Sequence, residues 1–293
     1  MLKWFEHITP GEWIMAAIAR HAQRFAAHAP PPASASSAPL TPLAPSSYAS
    51  HDALFRRALD PLTRQRVINA FLTHPSLLHW SAGAAATLVD AGYEKTWLQG
   101  ELVVPYQADC KEILIVLAGA LEASWVSASG ARVIGEYIQP DSVINIIPAL
   151  DRKGSLCDLY ARGTVRLYHI PREAMLDLFE QQPALMRGFF ELICSRNREL
   201  NDRFRFSRLA DFSGRVAERL LSLAERYGHP VDTGVEIGLK LSQDDLAALL
   251  GVSRQSINKE LRAFADRGWI EIRYGQVTIV DSAALLMVRE ACE

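Results

Sequence analysis

The sequence predicts an α+β protein: an antiparallel, jelly-roll-like β-roll, then a long helix, then a C-terminal unit of short helices and a hairpin. Three observations support this prediction. Strand-like segments separated by glycine and proline fill residues 97–171, an apolar helical pattern covers residues 183–208, and two capped helices followed by a hairpin signal occupy residues 239–280. The period of the apolar residues therefore changes twice along the chain.

Composition places the chain among ordinary globular proteins. Its 293 residues are 49% hydrophobic and 22% charged, which is enough for two domains with their own cores. The formal net charge of -2 gives no global attraction to nucleic acid, so any DNA affinity must come from a local basic surface. No apolar run approaches the roughly 18 residues that cross a bilayer, and we expect a cytoplasmic protein that does not enter a membrane.

The cysteines indicate a reducing compartment. They are far apart and form no CxxC pair, so we predict neither a disulfide framework nor a zinc site. They are Cys110, Cys157, Cys194 and Cys292. Cys110 and Cys157 are candidates for redox sensing only if they prove exposed and close to cations.

We interpret residues 1–50 as an N-terminal extension. Residues 1–25 predict a short amphipathic helix. Residues 26–50 consist largely of Ala, Pro and Ser, which bury too little apolar surface to offset the entropy of ordering them. This stretch predicts a flexible linker, and both a dispensable tail and a functional arm fit it.

Residues 51–182 predict the β-roll domain together with covering helices. Apolar residues recur at spacings of three and four in residues 51–92, which indicates helices. The strand-like segments that follow are separated by turn residues at the intervals expected of an antiparallel roll. These turn residues are Gly100, Gly119, Gly130 and Pro140.

Residues 183–210 predict one long helix. Its apolar residues lie near the spacing of an interhelical seam, and they are Leu185, Phe189, Leu192, Ile193, Leu200 and Phe204. Arg196 and Asn197 interrupt the heptad, so both a seam with a second helix and packing on the chain's own barrel fit the pattern. Ser213 can cap a further helix over residues 216–227, which opens the last domain, residues 211–293.

The last domain is organised around residues 239–280. Ser242 is a candidate N-cap of a short amphipathic helix. The apolar face of that helix holds Leu246, Leu249 and Leu250. Gly251 stands where a helix ends in the left-handed conformation, and Ser253 can cap a second helix two residues later. Two helices joined by so tight a turn must cross steeply.

The second helix, residues 254–267, has an apolar side and polar sides. The apolar side holds Ile257, Leu261 and Phe264. The other faces carry long donors, amides and hydroxyls, which are side chains that reach base edges and phosphates in a major groove. Alternating residues on both sides of Gly275 predict a two-stranded hairpin. Together these elements predict a winged helix-turn-helix with residues 254–267 as its recognition helix.

The run GVSRQSINKEL, residues 251–261, resembles the DNA-binding motif of the Crp/Fnr family of bacterial transcription regulators. The strand region resembles the cyclic-nucleotide-binding-type β-roll that this family places before its DNA-binding domain. Gly100-Glu101 is similar to the family's early strand turn, and residues 115–119 are similar to its next glycine-ended strand. The two resemblances cover roughly residues 75–285.

The resemblance implies a homodimeric, sequence-specific transcription regulator. The long helix would pair with its twin, and the two recognition helices would enter half-sites of a palindromic operator in double-stranded DNA, roughly 34–36 Å apart. RNA polymerase is a further candidate partner. The alternative is a small-molecule-binding barrel, a ligand sensor or an enzyme, whose winged helix contacts protein. We find no catalytic constellation and no metal-ligand spacing that supports this alternative.

Arg254 is the predicted guanine contact, because its planar fork matches O6 and N7 and the family uses the arginine at this position for base reading. Gln255 stands where many relatives carry glutamate, so we expect a different base preference there. The serines are expected to position the phosphate backbone. The predicted DNA-binding residues are Ser242, Ser253, Arg254, Gln255, Ser256, Asn258, Lys259 and Arg262.

The β-roll lacks the residue pairs that hold a cyclic nucleotide. Nucleotide-binding members of the superfamily use a Gly-Glu pair and an Arg-Ser or Arg-Thr pair, which fall without gaps on Ile144-Asn145 and Ser155-Leu156. We therefore expect no cyclic AMP binding in the usual manner and an effector of unknown identity. The candidate residues for another effector are Asn145, Arg152, Lys153 and Ser155. The alternative is a roll filled by its own Ile144, Ile146, Ile147 and Leu156.

We expect no cofactor and no metal ion. Oxygen-sensing relatives hold an iron–sulfur cluster with an N-terminal cysteine cluster, and no cysteine precedes Cys110 in this sequence. Haem-binding relatives use an axial histidine, for which His74, His79 and His169 are candidates. A lone histidine is more often structural or merely exposed.

Overall fold

The computed structural model describes residues 60–72, 80–273 and 275–291. It divides into two compact units, one ending at Glu199 and one beginning at Leu200. The helix and linker expected in residues 1–50 lie outside the described residues, and so do His74, His79 and Cys292.

The first unit is an antiparallel β-roll with helices packed on it, as predicted. Its elements are α1 (Pro61–Leu72), α2 (Ala82–Ala91), β1 (Tyr93–Trp97), β2 (Leu102–Val104), β3 (Glu112–Val126), β4 (Arg132–Ile138), β5 (Val143–Ile144), α3 (Ile146–Asp151), β6 (Asp158–Pro171), α4 (Arg172–Gln181) and the first part of α5 (Ala184–Leu209). The strands are ordered β1-β6-β3-β4, with β2 paired to β6 and β5 paired to β3.

Both faces of the long strands β3 and β6 are buried. One face packs on α1, α2, α4 and α5 through side chains such as Ile113 and Tyr168. The other face lines the inside of the roll with side chains such as Leu114 and Leu167. Burial on two faces requires apolar residues at consecutive positions, which is why β3 runs EILIVLAGALEASWV instead of alternating strictly with polar residues.

The long helix α5 is confirmed, but three residues of its predicted seam are wrong. Leu185, Phe189 and Leu192 are buried in the core of the first unit. The ring of Phe189 lies 5.4 Å from that of Trp80 and 5.2 Å from that of Phe179, measured between centroids. This part of α5 packs on the chain's own domain, which was the alternative to an interhelical seam.

A second row of side chains on α5 steps by four and three residues, and it faces outward except at Ile193, which is half-buried against the core of the first unit. This row, which we name the α5 seam, consists of Met186, Phe190, Ile193, Asn197, Leu200 and Phe204. Phe190, Leu200 and Phe204 are 58%, 62% and 60% exposed. Asn197 belongs to the seam and does not interrupt it. Arg196 lies outside the seam, because its Nη2 donates a hydrogen bond to the backbone oxygen of Val143.

The second unit contains the helix-turn-helix and more strands than expected. After the end of α5 its elements are α6 (Phe212–Tyr227), β7 (Gly228–Val231), β8 (Gly234–Ile237), α7 (Gln243–Leu250), α8 (Arg254–Asp266), β9 (Ile270–Arg273), β10 (Gln276–Ile279) and α9 (Ser282–Glu290). The sheet order is β7-β8-β10-β9. The predicted two-stranded wing is therefore one half of a four-stranded sheet, and α9 was not predicted.

The start of α6 corrects one predicted cap. Asp211 is the N-cap, because its Oδ1 accepts a hydrogen bond from the backbone N of Gly214 at 2.7 Å. Ser213 lies inside the first turn of the helix. A carboxylate at this position also faces the positive end of the helix dipole, which favours it further.

Within residues 60–72, 80–273 and 275–291, every helix falls short of the length or the apolar character that crossing a membrane requires.

Gly119 provides a test of the packing between β3 and β6. Its φ is +77°, and an added Cβ would lie 2.5 Å from the backbone oxygen of Thr164. We expect Gly119→Ala to lower the free energy of unfolding by more than the roughly 1–2 kcal/mol that a left-handed conformation alone costs a non-glycine residue. Urea unfolding measures this loss.

Gly130→Ala is the matched control for that variant. Gly130 has a φ of +82°, and nothing lies within 4 Å of an added Cβ. Gly130→Ala should lower the free energy of unfolding only by the roughly 1–2 kcal/mol that the left-handed conformation costs. Equal losses for the two variants would show that the approach to Thr164 does not limit stability.

Candidate nucleic-acid interface

Serine side chains cap the starts of α7 and α8, and a glycine ends α7, as predicted. Ser242 Oγ accepts a hydrogen bond from Asp245 N at 3.1 Å, and Asp245 Oδ2 accepts one from Ser242 N at 3.0 Å. This reciprocal pair is a capping box. α7 ends at Gly251, whose φ is +64°, and Ser253 Oγ then accepts a hydrogen bond from Ser256 N at 3.1 Å to begin α8.

The apolar stripe of α8 is also confirmed. Ile257, Leu261 and Phe264 are 0%, 2% and 1% exposed. The ring of Phe264 packs against that of Trp269, with 5.4 Å between centroids. Because this side is buried in the unit, the opposite side of α8 faces outward.

Most of the predicted DNA-binding residues are exposed. These are Ser242, Ser253, Arg254, Gln255, Ser256, Lys259 and Arg262. The side chain of Arg254 is 64% exposed. Asn258 is half-buried, because it faces the start of α7.

Gln243 and Asp244 of α7, which were not predicted as interface residues, contact Asn258 and Arg254 on α8. Gln243 donates from Nε2 to Asn258 Oδ1 at 3.3 Å, and its Oε1 lies 3.5 Å from Arg254 Nε. Asp244 Oδ2 lies 3.4 Å from Arg254 Nη1. These contacts orient the guanidinium of Arg254 beside the first turn of α7. They arise where two helix ends meet, and the only local signal for them is the position of both residues directly after the Ser242 cap.

The acidic residues of α8 lie away from its basic ones. Glu260 Oε1 accepts a hydrogen bond from Ser213 Oγ at the start of α6. Asp266 is exposed at the far end of the helix. The exposed charges in the first part of α8 are consequently Arg254, Lys259 and Arg262, which is a local basic surface of the kind that DNA attracts.

The candidate effector residues of the first unit are spread along a loop and do not form one cluster. Asn145 and Arg152 flank α3 as its caps, both with left-handed φ, 62° and 58°. Arg152 and Lys153 are exposed, whereas Ser155 is buried. The hydroxyl of Ser155 donates to the backbone oxygen of Cys157 at 2.7 Å.

The expected apolar filling of the roll is right for Ile144 and wrong for the other three residues. Ile144 is buried inside the roll. Ile146 is buried in the core that the helices cover, and Ile147 and Leu156 are 41% and 54% exposed. Ile147 follows Ile146 on α3, and one residue further along a helix points about 100° away. The interior is filled instead by strand residues, which include Val116, Leu121, Leu159, Val165 and Leu167.

Cys110 and Cys157 do not have the surroundings of redox sensors. Burial raises the pKa of the Cys110 thiol. Burial, and then the carboxylates of Glu136 and Asp158, raise the pKa of Cys157 to about 11. Both thiols therefore stay protonated and poorly reactive at neutral pH.

His169 is the haem candidate that the structure describes, and its buried Nε2 has no hydrogen-bond partner. His169 is 4% exposed and its Nδ1 lies 2.8 Å from Glu112 Oε2. Its ring also stacks on Tyr93, with 4.8 Å between centroids. In the described part of the chain, no group of three or more His, Cys, Asp or Glu side chains could hold a metal ion.

Comparison with known protein families agrees with both units. Residues 94–182 match the cyclic nucleotide-binding domain, and residues 214–288 match the Crp-like helix-turn-helix domain. The two matches fall on the β-roll and on the unit that contains α7 and α8.

The chain is similar to curated transcription regulators. The chain is 26% identical over 173 residues to the CRP-like cAMP-activated global transcriptional regulator of Mycobacterium tuberculosis, covering 59% of this chain and 77% of that one. It is 24% identical over 177 residues to the global nitrogen regulator of Synechococcus elongatus, covering 60% of this chain and 80% of that one.

Solved structures share the fold. FixK2 from Bradyrhizobium japonicum superposes with a TM-score of 0.60 at 16% identity, over 67% of this chain and 96% of that one. A CRP-family transcriptional regulator from Thermus thermophilus, TTHB099, gives a TM-score of 0.58 at 19% identity, over 67% of this chain and 96% of that one. With its β-roll, its winged helix-turn-helix and these matches, the chain belongs to the Crp/Fnr family of transcription regulators.

Proposed function

We propose that the chain regulates transcription as a homodimer that binds a palindromic operator. Each protomer places α8 in the major groove of one half-site. The observation that carries this proposal is the exposed guanidinium of Arg254, held by Gln243 and Asp244 at the end of α8 that would meet the bases. We propose that the regulator acts in the cytoplasm and catalyses no reaction. We assign it no cofactor, and RNA polymerase is a candidate partner.

The side chains of α8 divide into base-reading and backbone-positioning groups. Arg254 can donate two parallel hydrogen bonds to guanine O6 and N7, and Gln255 and Lys259 are exposed as well. Asn258 is closer to the protein and is tied to Gln243, so it both positions that side chain and borders the groove. Arg262 and the serines of the two caps are suited to phosphate oxygens.

Arg254→Ala tests the base contact. We expect it to weaken binding to a fragment selected from random duplexes by roughly tenfold to a hundredfold, because a lost bidentate pair costs about 1–3 kcal/mol of discrimination. Specificity should relax at one position of each half-site. Fluorescence titration over a range of salt concentrations measures both effects.

Arg267→Ala is the control for Arg254→Ala, since Arg267 is an exposed arginine past the end of α8. It should leave sequence preference unchanged. Binding that is undetectable or insensitive to salt on every fragment would support the alternative function, a small-molecule-binding barrel whose winged helix contacts protein.

The α5 seam supports the homodimer. Its residues follow the four-and-three spacing by which two parallel helices interlock, and apolar side chains flank Asn197 on both sides. A single polar residue in such a seam fixes the register of the two helices at some cost in stability. A second copy of α5 is therefore the occupant that the spacing fits.

Phe190→Ala tests the dimer. Phe190 is 58% exposed on the chain, and burying a phenylalanine contributes roughly 1.5–3 kcal/mol, so we expect the dimer dissociation constant to rise by about tenfold or more. Sedimentation over a concentration series measures it. The control is Arg198→Ala, an exposed residue outside the seam.

Phe189→Ala separates dimer loss from unfolding. Phe189 is 1% exposed in the core, so its removal should lower stability by about 3–5 kcal/mol at every protein concentration. A Phe190→Ala effect that is likewise independent of concentration would count against the seam.

We also propose that the first unit does not take cyclic AMP in the usual manner. The left-handed φ of Asn145 is the conformation that favours glycine, so the glycine of the Gly-Glu pair aligns with Asn145, one residue beyond the ungapped alignment. Buried, apolar Ile146 then takes the place of the acid that holds the ribose. In either register, Ser155 or Leu156 takes the place of the arginine, and neither brings a cation to the phosphate.

Calorimetry with cyclic AMP tests this point. We expect no heat of binding at micromolar concentrations of nucleotide and protein. The cAMP-activated regulator of Mycobacterium tuberculosis serves as the positive control under the same conditions. Micromolar binding by this chain would show that another set of residues completes the cassette.

A further inference from the structure

The second unit contains a cavity of about 310 Å³. Its walls come from the last turns of α5, the first half of α6, the end of α7 and the end of α9. The cavity is separate from the exposed side of α8 and from the interior of the roll, so neither of the proposed roles described above uses it.

Arginines dominate the charged lining of this cavity. They are Arg203, Arg205, Arg215, Arg219 and Arg289. The carboxylates of the lining are Asp202 and Glu218. Glu218 lies 3.4 Å from Arg289 and so balances one guanidinium. The lining therefore carries more basic than acidic side chains.

Two of these guanidinium groups have a buried donor without an acceptor. The Nε atoms of Arg215 and Arg289 are buried and have no hydrogen-bond partner. Buried donors of this kind are rare in folded proteins, because each one loses its hydration without a replacement. A planar guanidinium is the group that proteins use to hold carboxylates and phosphates. That of Arg289 already contacts Glu218 at 3.4 Å and Glu290 at 4.0 Å.

The lining is also partly shielded from solvent. Burial raises the pKa of Glu218, a shift that the neighbouring Arg289 and Arg219 oppose. Charged hydrogen bonds are stronger in such surroundings than in water. Phe206, Leu249 and Leu250 add an apolar wall to the same cavity.

We propose that this cavity binds a small organic phosphate. The phosphate group would lie against the guanidinium groups of Arg205 and Arg215, and an apolar or aromatic portion would lie against Phe206 and Leu249. A volume of about 310 Å³ is at the lower end of small-molecule sites, which fits a ligand the size of a nucleoside monophosphate. The ligand site of this regulator would then lie in its DNA-reading unit.

The test uses the full chain and calorimetry at fixed ionic strength, with pyrophosphate and adenosine 5′-monophosphate as probes. We expect at least one probe to bind at sub-millimolar concentration. Arg215→Gln should weaken that binding by roughly tenfold or more, because it removes charge-assisted hydrogen bonds. Arg205→Gln, at an exposed lining residue that leaves the core intact, should weaken it in the same direction.

Arg66→Gln is the matched control, since Arg66 is an exposed arginine on α1 in the other unit. An equal loss in this variant would show that only overall charge matters and would overturn the proposal. No binding of either probe would overturn it as well. If Arg215→Gln weakens DNA binding while neither probe binds, the cavity serves the DNA backbone and the small-molecule site is wrong. Probe binding is measured without DNA, so failure here leaves the proposed function untouched.

Discussion

The burial of Ile257, Leu261 and Phe264 decides how α8 is presented. Each of these side chains gains roughly 1.5–3 kcal/mol from leaving water, whereas an exposed charged pair on a surface contributes at most about 1 kcal/mol. Only one rotation of the helix keeps all three residues in the core, and that rotation turns Gln255, Lys259 and Arg262 outward. Arg254, in the first turn of α8, is 64% exposed as well. Core packing therefore determines which side of α8 is presented.

The order of the elements and most of the candidate interface could be predicted, because their causes lie within a few residues of one another. Ser242, Gly251 and Ser253 act on the turn in which they stand. The rest depended on partners far along the chain. Two rows on α5, one containing Leu185 and one containing Met186, are similarly apolar, and only the roll determines which of them is covered. Strands β7 and β8 are four residues long and pair with each other, and β8 also pairs with the distant β10, so their formation depends on residues far along the chain.

The two units differ in the kind of molecule that their interiors could receive. The inside of the roll is lined by aliphatic side chains, and in the proposed alignments neither the acid nor the arginine of a nucleotide cassette stands at its usual position. The charged cavity lies in the other unit, bordered by Leu249 and Leu250 at the end of α7. Because those two residues directly precede the Gly251 turn, a molecule that orders them would act on the same turn that positions α8. If the cavity binds a ligand, ligand binding and DNA recognition would both take place in the second unit.

The contact between Asp244 and Arg254 has a consequence for fidelity. Before any DNA arrives, a carboxylate already occupies one edge of the guanidinium at 3.4 Å. An incoming duplex must displace it and then accept an anion next to its own phosphates, whatever its base sequence. With both side chains about two-thirds exposed, this competition is mild, at most about 1 kcal/mol. If Arg254 reads a guanine, that base would offer two coplanar acceptors in exchange and other bases would offer fewer. Asp244 would then shorten the residence of the protein on mismatched sites without touching a base.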